Sequence, residues 1–96
     1  MPEKKEKLLP YKVTLALKNG KTYKGEGETL LEAMGQIEVQ ELIKSLGTIF
    51  VSYKDKKIER VCNALRLQKI FGVAVKKHYK ETALITYSKF LNSAFI

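Results

Sequence analysis

Large apolar side chains occupy every second position of residues 11–17, and this pattern restricts the fold more than any other feature of the sequence. A period of two is typical of a strand with one buried face. Asn19-Gly20 follows directly, and this dipeptide beside an alternating run is a strong signal for a β-hairpin. The chain is therefore predicted to begin its folded part with an antiparallel hairpin.

The register of this hairpin follows from the polarity of the returning strand. A two-residue loop would place Lys24 opposite Leu15 on the core face. A three-residue loop over 18–20, with Gly20 left-handed in a bulge, instead pairs Leu15 with Tyr23. A slip of one residue would bury a charge, so we expect the three-residue loop.

Two glycines, Gly25 and Gly27, interrupt the returning strand. A glycine weakens a strand and indicates a bend, a bulge or the close approach of another backbone. In the predicted register Tyr11 lies over Gly27, which is the simplest structural explanation.

A helix is predicted over residues 30–46. Thr29 and Glu32 have the spacing of a capping box, and Gly47 ends the pattern. The apolar positions change sides of the helix along this segment. The first stripe consists of Leu30, Met34 and Ile37. The second, on nearly the opposite side, consists of Val39, Leu42, Ile43 and Leu46. Either the helix breaks near Glu38, which we favour, or one helix lies between two apolar surfaces, one of them a partner's.

A second hairpin is predicted around a loop of residues 54–57. Its register is chosen so that apolar residues face apolar residues across the two strands. The expected pairs are Tyr53 with Ile58, Phe50 with Val61, and Val51 with Arg60.

Two helices complete the pattern. Asn63 is predicted to cap a helix over 64–71 that ends at Gly72. A last helix over about 75–94 carries a wide aromatic stripe, with Tyr79, Ala83, Tyr87 and Leu91 at steps of four and Leu84, Phe90 and Phe95 beside them.

These elements predict an α+β fold in the order ββα-ββαα, with a charged N-terminal arm at 1–8 and one small domain at 9–96. A chain of 96 residues is too short for two independent cores. We expect one antiparallel four-stranded sheet with the helices on one face. The alternative has the two hairpins in separate layers around the middle helix.

Positive charge is concentrated in the second half of the chain. The net charge is +8; residues 1–47 contribute +1 and residues 48–96 contribute +7. Such asymmetry indicates a basic face that meets an anionic partner, although a solubilising excess of charge is the simpler interpretation. The candidate anion-binding residues are Lys54, Lys56, Lys57, Arg60, Arg66, Lys69, Lys76, Lys77 and Lys80.

Signatures of catalysis, metal binding and cofactor binding are missing from the sequence. The glycines do not have the spacing of a phosphate-binding loop, and Cys62 and His78 stand alone rather than in a zinc pattern. We expect no enzyme activity, no cofactor and no metal; a small enzyme would need a cleft that gathers His78, Cys62 and a carboxylate. No apolar run is long enough for a membrane span or signal peptide, so a cytoplasmic or intravirion location is expected.

Aromatic residues limit the nucleic-acid hypothesis. Stacking on single strands needs exposed rings among basic residues, but the rings predicted to face the core are Tyr11, Phe50, Tyr53, Phe71, Tyr87 and Phe90. Only Tyr23 and Tyr79 remain as candidates. We therefore expect a basic interaction module that binds an acidic protein or phosphate surface as a small subunit of a larger assembly, in the manner of small viral or mobile-element proteins. The alternative is a nucleic-acid-binding protein without sequence preference.

Overall fold

The first hairpin forms with the predicted register. In the computed structural model, which describes residues 10–73 and 75–95, β1 (Tyr11–Leu17) runs antiparallel to β2 (Thr22–Gly27). Leu15 pairs with Tyr23, and Gly20 has a φ of 100°, as the bulged three-residue loop requires. The predicted arm at 1–8 lies outside the described residues.

One antiparallel four-stranded sheet contains both hairpins. The second hairpin consists of β3 (Gly47–Tyr53) and β4 (Lys56–Cys62), and β3 pairs with β1 to give the order β2-β1-β3-β4. The predicted α+β fold in the order ββα-ββαα is confirmed, and the alternative with two separate layers is wrong. The inner face of the sheet carries buried residues that include Val13, Leu15, Leu17, Ile49 and Val51, and the helices cover this face.

The predicted register of the second hairpin is wrong by two residues. Val51, rather than Tyr53, pairs with Ile58, because the turn is a two-residue turn at Lys54-Asp55 with Lys54 at a φ of 57°. The same shift places Arg60 opposite Ile49 instead of Val51. A shift of two does not exchange the two faces of a strand, so Arg60 stays on the same side as the buried Ile49, which the helices cover.

Phe50 does not belong to the core. It pairs with Glu59 rather than Val61, and its side chain is 39% exposed on the outer face of the sheet, opposite the helices. Val61 lies on the same outer face, where it pairs with Thr48. The prediction that Phe50 faces the core is therefore wrong, because residues 49–51 are all apolar and only the middle one points outwards.

The first helix, α1, is much shorter than predicted and spans Leu30–Gly35. The Thr29 hydroxyl caps it by accepting from the Glu32 amide at 3.1 Å. The Glu32 carboxylate accepts from the amide of Glu28 at 2.7 Å, one residue before the position that a capping box predicts. Residues 36–46 are not helical, so the predicted break is confirmed, whereas continuation of a helix to Leu46 is wrong.

Long-range contacts hold residues 36–46 in place of a helix. Val39 forms a parallel bridge with Gly72, and the Ile43 amide donates to the side-chain carbonyl of Gln68 at 2.8 Å. Val39 and Ile43 are buried, whereas Leu42 and Leu46 are exposed. Half of the second apolar stripe is thus buried against the end of the next helix.

The two glycines of β2 allow α1 to approach the sheet closely. A Cβ on Gly27 would lie 2.7 Å from the Ala33 nitrogen, and one on Gly25 would collide with the Ala33 carbonyl oxygen. The predicted close approach of another backbone is confirmed, and Tyr11 does pair with Gly27 across the strands.

Two further helices, α2 (Ala64–Phe71) and α3 (Lys77–Asn92), lie against each other, and a short 3₁₀ turn at Ser93–Phe95 follows. Asn63 caps α2 and Gly72 ends it, both as predicted. α3 begins two residues later than expected and has Lys76 at its N-cap. None of the helices in the described ranges is long and apolar enough to cross a membrane.

Candidate anion-binding groove

A groove runs along α3 where this helix meets α2 and the end of β4. It consists of two adjoining hollows of about 300 and 390 Å³ that share Arg66, Thr86 and Tyr87. We call it the α3 groove and define it by Arg60, Arg66, Lys69, Thr86, Tyr87 and Phe90. In the part of the chain that the structure describes, no Asp or Glu lines either hollow.

Arg60 reaches the groove from the edge strand β4. It pairs with the buried Ile49, which directs its side chain to the helix-covered side of the sheet. Its guanidinium lies 5.9 Å from the ring centroid of Phe90 and donates to the Glu59 carbonyl at 2.9 Å. The sheet edge therefore positions this cation beside an aromatic ring on α3.

Arg66 and Lys69 reach the groove from α2. The Arg66 amide donates to the capping oxygen of Asn63 at 2.8 Å, and its guanidinium lies 5.3 Å from the Tyr87 ring centroid. Lys69 follows three residues later, on the same helix face, and lines the first hollow together with Ala83.

The three cations follow α3 in order. Arg60 lies beside Phe90, Arg66 lies beside Tyr87, and Lys69 lines the hollow that extends to Ala83. Seven residues of helix span about 10 Å. The groove is thus an ordered row of positive charge, roughly one cation to each helical turn.

A buried hydrogen bond fixes the floor of the groove. The Tyr87 hydroxyl lies 3.0 Å from the Cys62 sulfur, and both residues are buried. Burial, followed by this hydrogen bond, raises the pKa of the Tyr87 hydroxyl well above its ordinary value, against the opposing effect of Arg66 and Arg60. Burial and the contact with Cys62 thus favour the neutral form of Tyr87, whose ring lies beside Arg66.

Exposed apolar side chains surround the row of cations. Val61, Leu65 and Phe90 are 69%, 65% and 54% exposed, and all three line the hollows. The prediction that Phe90 faces the core is wrong, because Tyr87 and Leu91 fill the buried stripe and Phe90 lies at its side, with its ring centroid 5.5 Å from that of Tyr87.

The remaining predicted lysines lie outside the groove. Lys54, Lys56 and Lys57 are exposed at the tip of the second hairpin, where the Lys54 ammonium lies 5.3 Å from the Tyr53 ring. Lys76, Lys77 and Lys80 form the α3 start, together with two carboxylates. There, Lys77 lies 4.0 Å from Glu81, and Lys80 lies 4.0 Å from Glu38.

The hairpin tip and the α3 start lie at opposite ends of the last helix. The Tyr11 hydroxyl donates to Asn92 at 3.4 Å, and Tyr11 stacks on Tyr53 next to the hairpin turn. The C-terminal end of α3 is thus near the tip, and its 16 residues span about 24 Å to the other cluster. The structure therefore brings together three of the nine predicted cations, Arg60, Arg66 and Lys69.

Cys62 and His78 do not meet. Cys62 contacts Tyr87, whereas His78 is exposed nine residues earlier on α3, about 13 Å along the helix axis, with its ring against Tyr79. Within residues 10–73 and 75–95, no three side chains of His, Cys, Asp or Glu are grouped as metal ligands.

Sequence reasoning missed the side chains that make these three cations a site. Thr86, Tyr87 and Phe90 line the groove, but the sequence predicts that both of these rings face the core. The buried stripe runs at steps of four through Tyr87 and Leu91, whereas Phe90 follows Tyr87 by three residues. This difference in spacing is the sequence signal that Phe90 lies beside the stripe. Comparison of the chain with protein-family models, curated proteins and solved structures found no match.

Proposed function

We propose that this protein is a non-enzymatic binding module that holds an anionic macromolecule along the α3 groove. The observation that carries this proposal is the row of Arg60, Arg66 and Lys69 with no carboxylate among the described groove residues. A surface whose only role is solubility usually has positive and negative side chains interspersed, whereas the groove separates them. The α3 start, with its interleaved carboxylates, has that more ordinary composition.

The type of cation supports an anionic ligand. Two of the three are arginines, whose planar guanidinium donates two parallel hydrogen bonds to a phosphate or carboxylate. Arg60 is half-buried, so its charge is less screened by solvent than that of an exposed lysine. Both guanidinium groups lie near aromatic rings, which restricts their positions before a ligand arrives.

The exposed apolar residues support a large partner. Leu65 and Phe90 line the hollows beside the cations and would be covered by a macromolecule, but not by a lone phosphate ion. Phe50 adds a further exposed ring on the outer sheet face. These surfaces favour a role as a small subunit of a larger assembly.

Charge reversal in the groove tests this proposal. We expect R66E to weaken binding of a labelled oligonucleotide or of polyglutamate, measured by fluorescence anisotropy at low salt, and raising the salt to weaken wild-type binding steeply. K24E is the matched control, because Lys24 is exposed on the outer sheet face opposite Thr14. R66Q, with thermal unfolding of each variant, separates loss of charge from loss of fold.

Two results would contradict the proposal. One is the absence of binding to both polyanions at 50 mM salt. The other is an equal loss of affinity in K24E and R66E, because net charge alone would then explain the attraction.

A further inference from the structure

The α3 groove carries an inference about the identity of its anionic partner, and this inference rests on the proposed function. We propose that the groove binds single-stranded nucleic acid, with the sugar-phosphate backbone along Arg60, Arg66 and Lys69 and one base stacked on Phe90.

The spacing of the cations fits a nucleic-acid strand. They follow α3 over about 10 Å. The groove is thus long enough for successive phosphates of a strand that runs along the helix to meet the three cations in turn. Thr86 lines both hollows together with Arg66, and a threonine hydroxyl is a suitable donor to a phosphate oxygen.

Phe90 supplies what a purely ionic site lacks. Its side chain is 54% exposed, although the Tyr87 ring stacks on it at a centroid distance of 5.5 Å and the Arg60 guanidinium lies over it at 5.9 Å. The exposed part of the ring is open to a ligand. An exposed ring next to a guanidinium is the combination on which unpaired bases stack, and such stacking tolerates any base. The objection that the rings of this chain face the core does not apply to Phe90.

A single strand fits this arrangement better than a duplex or an acidic peptide. The bases of a duplex are stacked on one another, and their faces cannot reach Phe90 unless a nucleotide is extruded. An acidic peptide would satisfy the arginines but has no flat ring for Phe90 to stack on. The ring therefore distinguishes between partners that the charges alone cannot separate.

Fluorescence anisotropy with three probes tests the inference: labelled dT15, a 15-base-pair duplex, and polyglutamate of similar charge. We expect dT15 to bind at least about tenfold more tightly than the duplex. Its log–log salt dependence should have a slope of about −2, because about three contacts each contribute about −0.7 on a single strand.

Variants of Phe90 isolate the stacking contribution. F90A and F90L should each weaken dT15 binding about 5- to 100-fold, the range expected for one base stacked on one ring, without changing the salt slope. F90Y should restore binding. F50A is the matched control, because Phe50 is also an exposed phenylalanine but lies on the outer sheet face; we expect no change there. F90L keeps an apolar side chain, so it guards against an effect of folding in F90A.

The outcomes separate the two proposals. If the duplex binds as tightly as dT15, or if F90L binds dT15 like the wild type, the single-strand inference is wrong. If polyglutamate binds more tightly than dT15, the partner is an acidic protein, and the proposed function survives without this inference. If none of the three probes binds at low salt, both proposals fail.

Discussion

The α3 groove and the α3 start each place three cations beside the last helix, yet the surroundings of these cations differ. At the start, Lys77 and Lys80 each have a carboxylate 4.0 Å away, at Glu81 and Glu38. In the groove, the described lining contains no carboxylate. The comparison shows that the number of cations in a segment is a poor indicator of an anion-binding surface. The absence of carboxylates among those cations is a better indicator.

The two regions also differ in how their helices begin. α2 begins with Asn63, whose side chain accepts from the Arg66 amide, and it places Lys69 in the last turn, where a cation is favourable. α3 begins at Lys77, and its N-cap residue Lys76 makes no capping hydrogen bond through its side chain. Three cations near this N-terminus oppose the helix dipole. The groove therefore lies on a well-capped helix, and the α3 start carries an unfavourable arrangement.

The largest effect is expected from removing each set of charges. The triple variant R60Q/R66Q/K69Q should lose on the order of 100-fold in affinity for a polyanion, from about 1 kcal/mol per exposed ionic contact. The variant K76Q/K77Q/K80Q removes the same charge from the α3 start and should lose less than about threefold. Anisotropy titrations at one salt concentration measure both. Equal losses would show that the two regions are equivalent.

Alkaline pH should destabilise the floor of the groove. An unfolded chain loses the Tyr87 proton near pH 10.0, whereas burial and the Cys62 bond raise the pKa of this hydroxyl in the folded protein. The folded state therefore binds more protons above pH 10, and stability falls there by up to about 1.4 kcal/mol per pH unit. Urea unfolding between pH 8 and pH 11 measures this slope.

Y87F should flatten that dependence, and Y79F should not, because Tyr79 is an exposed tyrosine at the α3 start. A smaller slope should persist in Y87F, because partial burial also raises the pKa values of Tyr11 and Tyr23. If Y79F flattens the pH dependence as much as Y87F, the Tyr87 hydroxyl that contacts Cys62 is not the group responsible.

Loss of the α2 cap should have a moderate effect. N63A removes the acceptor for the Arg66 amide and should lower the free energy of unfolding by about 1 kcal/mol, as typical N-caps do. Urea denaturation followed by circular dichroism measures the change. N63D, which restores a capping oxygen, should recover most of it; failure of N63D to do so would argue against the cap.

A new cap on α3 should have the smallest effect, and in the opposite direction. K76D supplies a capping carboxylate and removes a cation from the helix N-terminus, so we expect a gain of about 0.5 kcal/mol. K76A removes the charge without supplying a cap and should gain less. A loss of stability in K76D would mean that the Lys76 side chain has a stabilising role that the helix geometry does not show.

The sequence predicts the fold best where local signals agree. In the first hairpin, Asn19-Gly20 and the alternation of apolar residues require the same register, and that register forms. The second turn has no glycine or asparagine, and the neighbouring run at 49–51 is apolar throughout. Several registers then satisfy the pattern almost equally, and the two-residue turn at Lys54-Asp55 could not be deduced.

Non-local contacts limit the rest of the prediction. Residues 36–46 have an apolar pattern compatible with a helix, but Val39 and Ile43 are held by Gly72 and Gln68, which lie about 30 positions away. The groove is similar. All three of its cations were among the nine candidates, but only the packing of α3 against α2 and β4 separates them from the other six.

The central position of β1 has a consequence for how the protein is made. β1 pairs with β2 within the local hairpin, but its other edge pairs with β3, which is synthesised later. Tyr11, for example, pairs with Tyr53, which lies 42 positions further along the chain. On a ribosome that adds about 5–20 residues per second, the interval between the end of β2 and the end of β3 is roughly 1–5 seconds. During that time the nascent hairpin presents an unpaired strand edge and the apolar side chains of Val13 and Leu15. Synthesis of β3 therefore provides the partner for the free edge of β1, and β4 then pairs with the outer edge of β3.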